Sequence, residues 1–507
     1  MILIALEELG RSFGEIAASI TLVVYSVGLM AITIYCLLQF HLLYYYKTKK
    51  NKYLLQVNTP HDESLDLPIV TIQLPIFNER YVVQRLLTSI TALDYPKSKM
   101  EIQVLDDSTD DTVEITAKEV EKYSEQGFDI KHITRTDRTG YKAGALKSAT
   151  TFAKGEFIAI FDADFLPEED FLMKTMKHFA DPKIGVVQTR WEHLNQNYSL
   201  LTRVQAFQLN VHFTVEQLGR KVGNLLLQFN GTAGVWRKET INDAGGWEAD
   251  TLTEDLDLSY RAQLKGWKII YLEDVTSPAE LPSEMNGLRS QQFRWMKGGA
   301  ETAKKVLPQV WKSSLTFRQK IHASTHLLGS SIFLAVFAIG VFSVPLAMAI
   351  KPMGYDPDIF AFFLIGLISI ILIYYVANVE VAWSQENRFK MIFKFLFLFP
   401  IFLALSMGLS FHNSIAVIQG YIGKKSPFVR TPKFDIRELG DQIVKKNYFS
   451  SAISKTILWE GFFAIYFLLG LVWGIMYQEP TFMAMHFLLS IGYGLIFYFS
   501  VKNVFIK

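Results

Sequence analysis

The sequence predicts a chain in two parts: an α/β domain built on a mainly parallel sheet, and an α-helical membrane domain of about five spans. Three observations predict this. Long stretches near both ends carry almost no charge, the middle alternates strand-length and helix-length patterns, and two of the middle strands end in paired aspartates. Of the 507 residues, 50% are hydrophobic and 20% charged, which excludes a disordered chain. A single cysteine, Cys36, excludes a disulfide scaffold and a cysteine-based zinc site. A formal net charge of +2 gives no reason to expect nucleic acid as a partner.

Residues 16–46 contain no Asp, Glu, Lys or Arg and, at ~1.5 Å per residue, outreach the ~30 Å apolar core of a bilayer. They end in Tyr44, Tyr45 and Tyr46, then Lys47, Lys49, Lys50 and Lys52, an aromatic belt with a basic flank. Length, the acidic Glu7, Glu8 and Glu15, and the lack of a small-residue cleavage site argue against a secretory signal. Residues 1–50 therefore read as a retained anchor whose C-terminal end is cytosolic.

The stretch 51–295 has the composition of a soluble domain. Next, 296–320 sets Lys297, Lys304, Lys305 and Lys312 against Val306, Val310 and Trp311, the pattern of an amphipathic segment lying on an anionic leaflet. The membrane domain is 321–507, with spans at 324–349, 359–382, 457–477 and 480–501. Both flanks of 391–422 are basic, so the positive-inside rule puts both its ends on one side, and Pro400 and Gly408 interrupt it. It reads as an interfacial or re-entrant element, with a sixth span as the alternative. The loop 424–450 and the C-terminus are then cytosolic.

Within the soluble domain, strand patterns at 69–77, 102–105, 131–134 and 157–161 alternate with helical patterns after Val82, after Asp111 and from Ala145. Alternation of this kind implies crossover connections and parallel strands, with ligands bound beyond the carboxyl ends of the strands. Asp106 and Asp107 follow one strand, and Asp162 and Asp164 another. A D-x-D pair of hard oxygen donors suits Mg²⁺ or Mn²⁺ shared with a diphosphate. Arg138 and Lys142, among Gly140 and Gly144 before a helix, form a candidate phosphate cradle. The acidic Thr253-Glu254-Asp255 at a helix start offers a general base, though acids in a first turn also simply suit the helix dipole. Gln291, Arg294 and Trp295 combine a guanidinium for oxyanions with an indole for a pyranose face. No G-x-S-x-G elbow and no G-x-G-x-x-G after a strand is present, which disfavours hydrolase and dinucleotide readings.

In this order, Asp106-Asp107, Asp162-Ala163-Asp164, Thr253-Glu254-Asp255 and Gln291-x-x-Arg294-Trp295 resemble the D, D-x-D, T-E-D, Q-x-x-R-W series of processive family 2 glycosyltransferases such as cellulose synthases. The stretches Gly140–Leu146, Phe229–Arg237 and Ala244–Trp247 resemble the cellulose synthase-like A and C groups in particular, which make β-mannan and β-glucan backbones. That resemblance implies a GT-A domain and a membrane enzyme transferring hexose from UDP-glucose or GDP-mannose to a growing β-linked polysaccharide. The alternative is a single-sugar transfer to a lipid. It further implies Asp106, Asp107, Arg138 and Lys142 on the donor nucleotide and diphosphate, Asp162 and Asp164 on Mg²⁺ or Mn²⁺, and Asp255 as catalytic base. Gln291, Arg294 and Trp295 would bind donor and acceptor. Phe428, Thr431 and Lys433 resemble an F-x-V-T-x-K gating loop, although Arg430 stands where that motif has Val. The expected partners are the donor, the polysaccharide or lipid acceptor and the bilayer, with room for accessory subunits.

Overall fold

The computed structural model describes residues 2–57, 67–381, 387–426, 429–436 and 455–505. The chain divides into two compact units, one of residues 42–327 with 420–448, the other of residues 1–41, 328–419 and 449–507.

The first unit is built on one seven-stranded sheet: β1 (Val70–Ile76), β2 (Met100–Asp106), β3 (Asp129–Thr134), β4 (Phe157–Ile160), β5 (Ile184–His193), β6 (Gly234–Arg237) and β7 (Lys268–Ala279). Their spatial order is β3-β2-β1-β4-β6-β5-β7. The expected parallel core is present, with β1 pairing β2 and β4, and β2 pairing β3, all in parallel. Between β4 and β5 lies β6, antiparallel to both, so the sheet is mixed. Since β5 therefore runs the same way as β4, the carboxyl ends of β1, β2, β4 and β5 share one edge of the sheet. The strands are buried on both faces because Val70, Ile72, Leu74, Ile102, Val104, Ile158 and Ile160 are packed under helices, as parallel strands require.

The helices around this sheet are, in order, α1 (Ile2–Val57), α2 (Val83–Thr91), α3 (Thr112–Glu125), α4 (Tyr141–Phe152), α5 (Phe171–Met176), α6 (Leu200–Val211), α7 (Gln217–Val222), α8 (Lys238–Asp243), α9 (Glu254–Leu264), α10 (Met285–Lys312) and α11 (Phe317–Leu327). Two boundaries differ from the sequence reading. The anchor does not end at residue 50: α1 continues to Val57, and its last turns pack on the α/β unit. There Tyr46 donates to Glu273, Lys50 pairs with the same carboxylate at 2.6 Å, and Tyr53 donates to the carbonyl of Tyr271. Tyr45 and Tyr46 of the expected interfacial belt are thus buried in protein, while Tyr44 stays exposed.

Residues 296–312 are likewise no separate leaflet-lying segment. They continue the helix that carries Gln291, Arg294 and Trp295, and their apolar stripe (Ala303, Val306, Val310) buries against Leu256 and Tyr260 of α9 and Ala323 and Leu327 of α11. The 3.6-residue apolar period was real, but protein covers it. Lys297, counted on the basic face of that segment, is fully buried, with its ammonium on the carbonyl of Lys424 and the hydroxyl of Ser426.

The second unit is helical: α12 (Ile332–Ala349), α13 (Leu364–Tyr375), α14 (Arg388–Gly408), α15 (Ser410–Ile422), α16 (Lys455–Met476) and α17 (Met483–Phe505). Among the described residues six helices are long and apolar enough to cross a membrane, one more than the expected five. The extra one is α14, which qualifies as a 21-residue helix by itself. The 13-residue α15 falls short of the ~20 needed. The contact between α14 and α17 is made by small residues: a Cβ on Gly492 would lie 1.9 Å from the carbonyl oxygen of Ala404. Such close backbone approach is how apolar helices associate where no hydrophobic effect separates them from lipid.

Candidate active site

At the shared edge of the sheet, the turns after β1, β2 and β4 open into a cavity of ≈230 Å³. Asp107, Arg138, Lys142, Asp162, Asp164, Asp255, Gln291, Arg294, Trp295, Thr431 and Lys433 all line it. Asp164 and Lys433, 269 positions apart in sequence, therefore meet in one site. Two of the expected site residues stand apart. Phe428 lies outside the described residues. Asp106 does not reach the cavity: one carboxylate oxygen accepts from the amide of Ser108 at 2.9 Å and the other meets His132 Nε2 at 2.9 Å. Its work is to fasten the turn that presents Asp107.

Asp107 accepts both ends of the Arg135 guanidinium, at 2.8 Å from Nε to Oδ1. Arg135 also donates to the carbonyls of Thr139 and Tyr141, holding the loop that leads to Lys142. Arg138 lies flat on Phe77, 3.3 Å from the ring centroid, and near Asp107.

Lys142, in the first turn of α4, donates to Asp162 and to the carbonyl of Gly231 at 2.8 Å. Burial works against its ammonium, but Asp162, Glu254 and Asp255 outweigh it and hold its pKa above the ordinary lysine value. Asp164 accepts from Lys433 at 2.5 Å and from the amide of Glu280 at 3.1 Å. The segment 429–436 is docked over this edge by further contacts. Arg294 donates to the carbonyl of Val429 and, at 3.0 Å, to the hydroxyl of Thr431. Arg430 pairs with Glu79 at 2.8 Å. Glu280 accepts the amides of Phe434 and Asp435 at 2.8 and 3.0 Å. Burial pushes Glu79 up to about 7 despite Arg430 and Lys433, and lowers Arg294 to about 10, still a cation at neutral pH.

Asp255, in the first turn of α9, is half-buried, and desolvation with the neighbouring Glu254 raises its pKa to about 7. That is well above the usual aspartate value of about 4, because desolvation outweighs the helix dipole. A carboxylate titrating near neutrality is a better-matched proton acceptor than an ordinary one. Gly231 faces it: φ is +79° there, and a Cβ would come 3.1 Å from Asp255 Oδ2. Only glycine lets that backbone approach.

Asp162 and Asp164 fit a divalent cation in their chemistry. Both are hard oxygen donors in the cavity, and two carboxylates plus substrate phosphates are the usual Mg²⁺ arrangement. A second acidic group, Glu248, Asp250 and Asp257, does not fit one. The ammonium of Lys305 already lies 2.6, 2.8 and 3.1 Å from the three carboxylates, so it ties α9 to α10 instead.

Arg135, Glu79, Glu280 and Lys297 escaped sequence reasoning. Each acts through a partner far along the chain, so no local pattern marks it. The one available signal was the position of Glu79 and Glu280 within three residues of a strand end.

Residues 68–298 match the family described as "Glycosyltransferase like family 2". The chain is 42% identical over 282 residues to "Probable glucomannan 4-beta-mannosyltransferase 2" of Oryza sativa subsp. japonica, across 55% of this chain and 48% of that one. With "Glucomannan 4-beta-mannosyltransferase 1" of the same organism it shares 43% identity over 261 residues, 50% of each chain. The chain spans about half the length of these curated relatives. Among solved structures, the mannosyltransferase PcManGT from Pyrobaculum calidifontis in complex with GDP-Man and Mn²⁺ covers 78% of this chain and 100% of its own, with 20% identity and a TM-score of 0.49. The family match takes in all seven described strands together with Asp107, the D-x-D pair, Asp255 and the Gln291–Trp295 motif.

Proposed function

We propose that the chain is a membrane-embedded inverting hexosyltransferase that extends a β-1,4-linked polysaccharide from a nucleotide sugar, with GDP-mannose as the first donor to test and UDP-glucose as the second. The observation that carries this reading is the meeting, in one cavity, of a near-neutral, half-buried carboxylate (Asp255), a D-x-D pair and five cations. The similarity to two glucomannan mannosyltransferases supports the choice of donor and linkage.

In this reading Asp107 and Arg138 hold the nucleoside side of the donor, and Lys142 meets its diphosphate. Asp162 and Asp164 would hold Mg²⁺ or Mn²⁺, which supplies charge neutralisation for the leaving diphosphate. Asp255 takes the proton of the acceptor hydroxyl as its oxygen attacks the anomeric carbon, and the bond from that carbon to the diphosphate oxygen breaks. Attack opposite the leaving group turns an α-linked donor into a β-linked product. Lys142 and Arg294 offset negative charge that grows on the departing group, in a cavity where low polarity strengthens the effect. Thr431 and Lys433 bring the 429–436 loop over the site. The lysine-rich flanks support a cytosolic catalytic domain, loop and C-terminus, and the inner cell membrane is the proposed location.

The test incubates the full chain, in lipid nanodiscs, with GDP-mannose or UDP-glucose and Mn²⁺ or Mg²⁺. Expected are nucleoside diphosphate release that stops on chelation with EDTA, and a product cut by an endo-β-1,4-glycanase. A glycolipid bearing one sugar, or pyrophosphate release, overturns the proposal.

A further inference from the structure

Three polar atoms of uncharged side chains in the cavity wall are buried without a hydrogen-bond partner among the described residues: Trp191 Nε1, His193 Nε2 and Asn230 Nδ2. A buried polar atom left without a partner is destabilising, so three on one wall call for an explanation. Trp191 and His193 are two residues apart at the carboxyl end of β5 and so share a face of the strand. Asn230 comes from the turn just before β6, the neighbouring strand.

The local structure holds each of them in place. The Trp191 ring stacks on Phe213, with centroids 4.8 Å apart, and meets the edge of Phe165. The backbone amide of Asn230 donates to Gln188 at 2.8 Å. Its side-chain oxygen accepts from Gln228 Nε2 at 2.8 Å and meets His212 Nε2 at 3.0 Å. His212, in a π-helical turn (His212–Glu216), is steadied in turn by Glu216 at 2.9 Å. With its oxygen occupied twice, the amide of Asn230 has only its NH₂ left to offer. Turns of this type recur at functional sites.

Strand order says what the wall is for. Along the shared sheet edge, Asp107 follows β2, Asp162 and Asp164 follow β4, and the three unpaired residues belong to β6 and β5. They are on the far side of the D-x-D pair from the nucleoside position. Asn230 also adjoins Gly231, whose backbone packs against Asp255. The side of the cavity next to the base is where a hydroxyl to be deprotonated must lie.

We propose that Trp191, His193 and Asn230 form an acceptor subsite that hydrogen-bonds the hydroxyls of the terminal pyranose of a β-linked glycan. The inference rests on the transferase reading above. Two N–H donors and one neutral imidazole match the hydroxyl oxygens of a sugar, and no charge is presented that would draw a phosphate away from Lys142. Burial and Arg190 lower the pKa of His193 to about 4, so its ring is uncharged at neutral pH.

The test uses the full chain with β-1,4-mannohexaose and cellohexaose as acceptor probes. Trp191→Phe, His193→Phe and Asn230→Ala each remove one unpaired group. Each is expected to raise the acceptor KM about five- to tenfold, the worth of one hydrogen bond, with the donor KM moving less than twofold and donor hydrolysis without acceptor retained. A rise in donor KM alone, or an unchanged acceptor KM in all three, overturns the subsite. Should the wild type transfer from no donor, the transferase reading falls, and hexasaccharide binding by calorimetry then decides the subsite separately. Binding that weakens in Trp191→Phe supports it; absent or unchanged binding overturns it. Melting temperature checks each variant's fold, and Asn230→Ser replaces Asn230→Ala if the latter does not fold.

Discussion

The ammonium of Lys433 lies 2.5 Å from Asp164 Oδ2, on the carboxylate that the D-x-D pattern assigns to a divalent ion. Burial works against that ammonium, but Asp164, with Glu79 and Glu280, holds its pKa above the ordinary lysine value. Lys433→Met leaves a buried carboxylate with no cation, a change of about 3–5 kcal/mol for pairs of this kind. The expected result is a lowered melting temperature in the variant, with added Mn²⁺ restoring more stability to it than to the wild type, since a ligand stabilises by its affinity for the folded state. Equal Mn²⁺ responses in a thermal shift assay would remove Asp164 from the metal site.

Asp255→Asn is expected to abolish transfer while donor binding survives. The same change has an opposite effect on stability. Asp255 titrates near 7 when folded and at about 3.9 when unfolded. Between those values the folded chain holds a proton that the unfolded chain has released, so this group's stabilising contribution is present below about pH 4 and lost as pH rises through about 7. Removing the ionisation should therefore raise the melting temperature at pH 8 by roughly 2–4 °C and do little at pH 4. In the wild type, transfer should lose rate below about pH 7 as the base becomes protonated. A melting temperature that falls at pH 8, or a polymer yield near normal, contradicts the assignment.

Arg294 reaches two atoms of the 429–436 segment at once. Lysine keeps the charge but cannot span both positions. Arg294→Lys is expected to lower kcat/KM about 10- to 100-fold, a loss of roughly 1.4–2.8 kcal/mol. Thr431→Val should cost about tenfold less. The double variant should fall short of the product of the two, because both changes cut the same link. Steady-state kinetics on all three decides it, and strictly multiplicative losses would show that the two residues act separately.

In the helical unit, Gly492→Ala must push α17 away from the carbonyl of Ala404, whereas Gly494 has nothing within 4 Å of an added Cβ. Overpacking of this kind costs about 1–3 kcal/mol. Gly492→Ala should lower the melting temperature of the detergent-solubilised chain, and Gly494→Ala should leave it within a degree or so of the wild type. Equal effects would mean that the α14–α17 contact is looser than described.

What could be read from the sequence follows from the range of the forces involved. The strand 157–161 and its companions are legible because residues buried on both sides of a parallel sheet form unbroken apolar runs. The pairs Asp162/Asp164 and Glu254/Asp255 are legible because their chemistry is packed into a few consecutive residues. The contacts of Asp106 with His132 and of Lys297 with Ser426 leave no local trace, since each joins segments that only the fold brings together. The stripe Ala303, Val306 and Val310 lies between these cases. Its period correctly announces a buried face, but no periodicity says whether lipid or protein buries it, and here α9 and α11 do. The raised pKa of Asp255 was also out of reach, because it measures burial, which composition near a residue does not record.

The two-segment make-up of the α/β unit has a consequence for how the molecule is made. Its first segment ends at residue 327 and its second begins at residue 420, and the ninety-odd residues between them carry three helices long and apolar enough to cross a membrane. On a ribosome the sheet, Asp164 and Arg294 are all synthesised well before Thr431 and Lys433. The pairing of Asp164 with Lys433 spans 269 positions, a long-range closure that chain entropy delays. The cavity is therefore finished late in biosynthesis, after three apolar helices have left the ribosome. A fragment cut at residue 327 would contain Asp107, the D-x-D pair, Asp255 and the Gln291–Trp295 motif and still lack Arg430 and Lys433, the partners of Glu79 and Asp164.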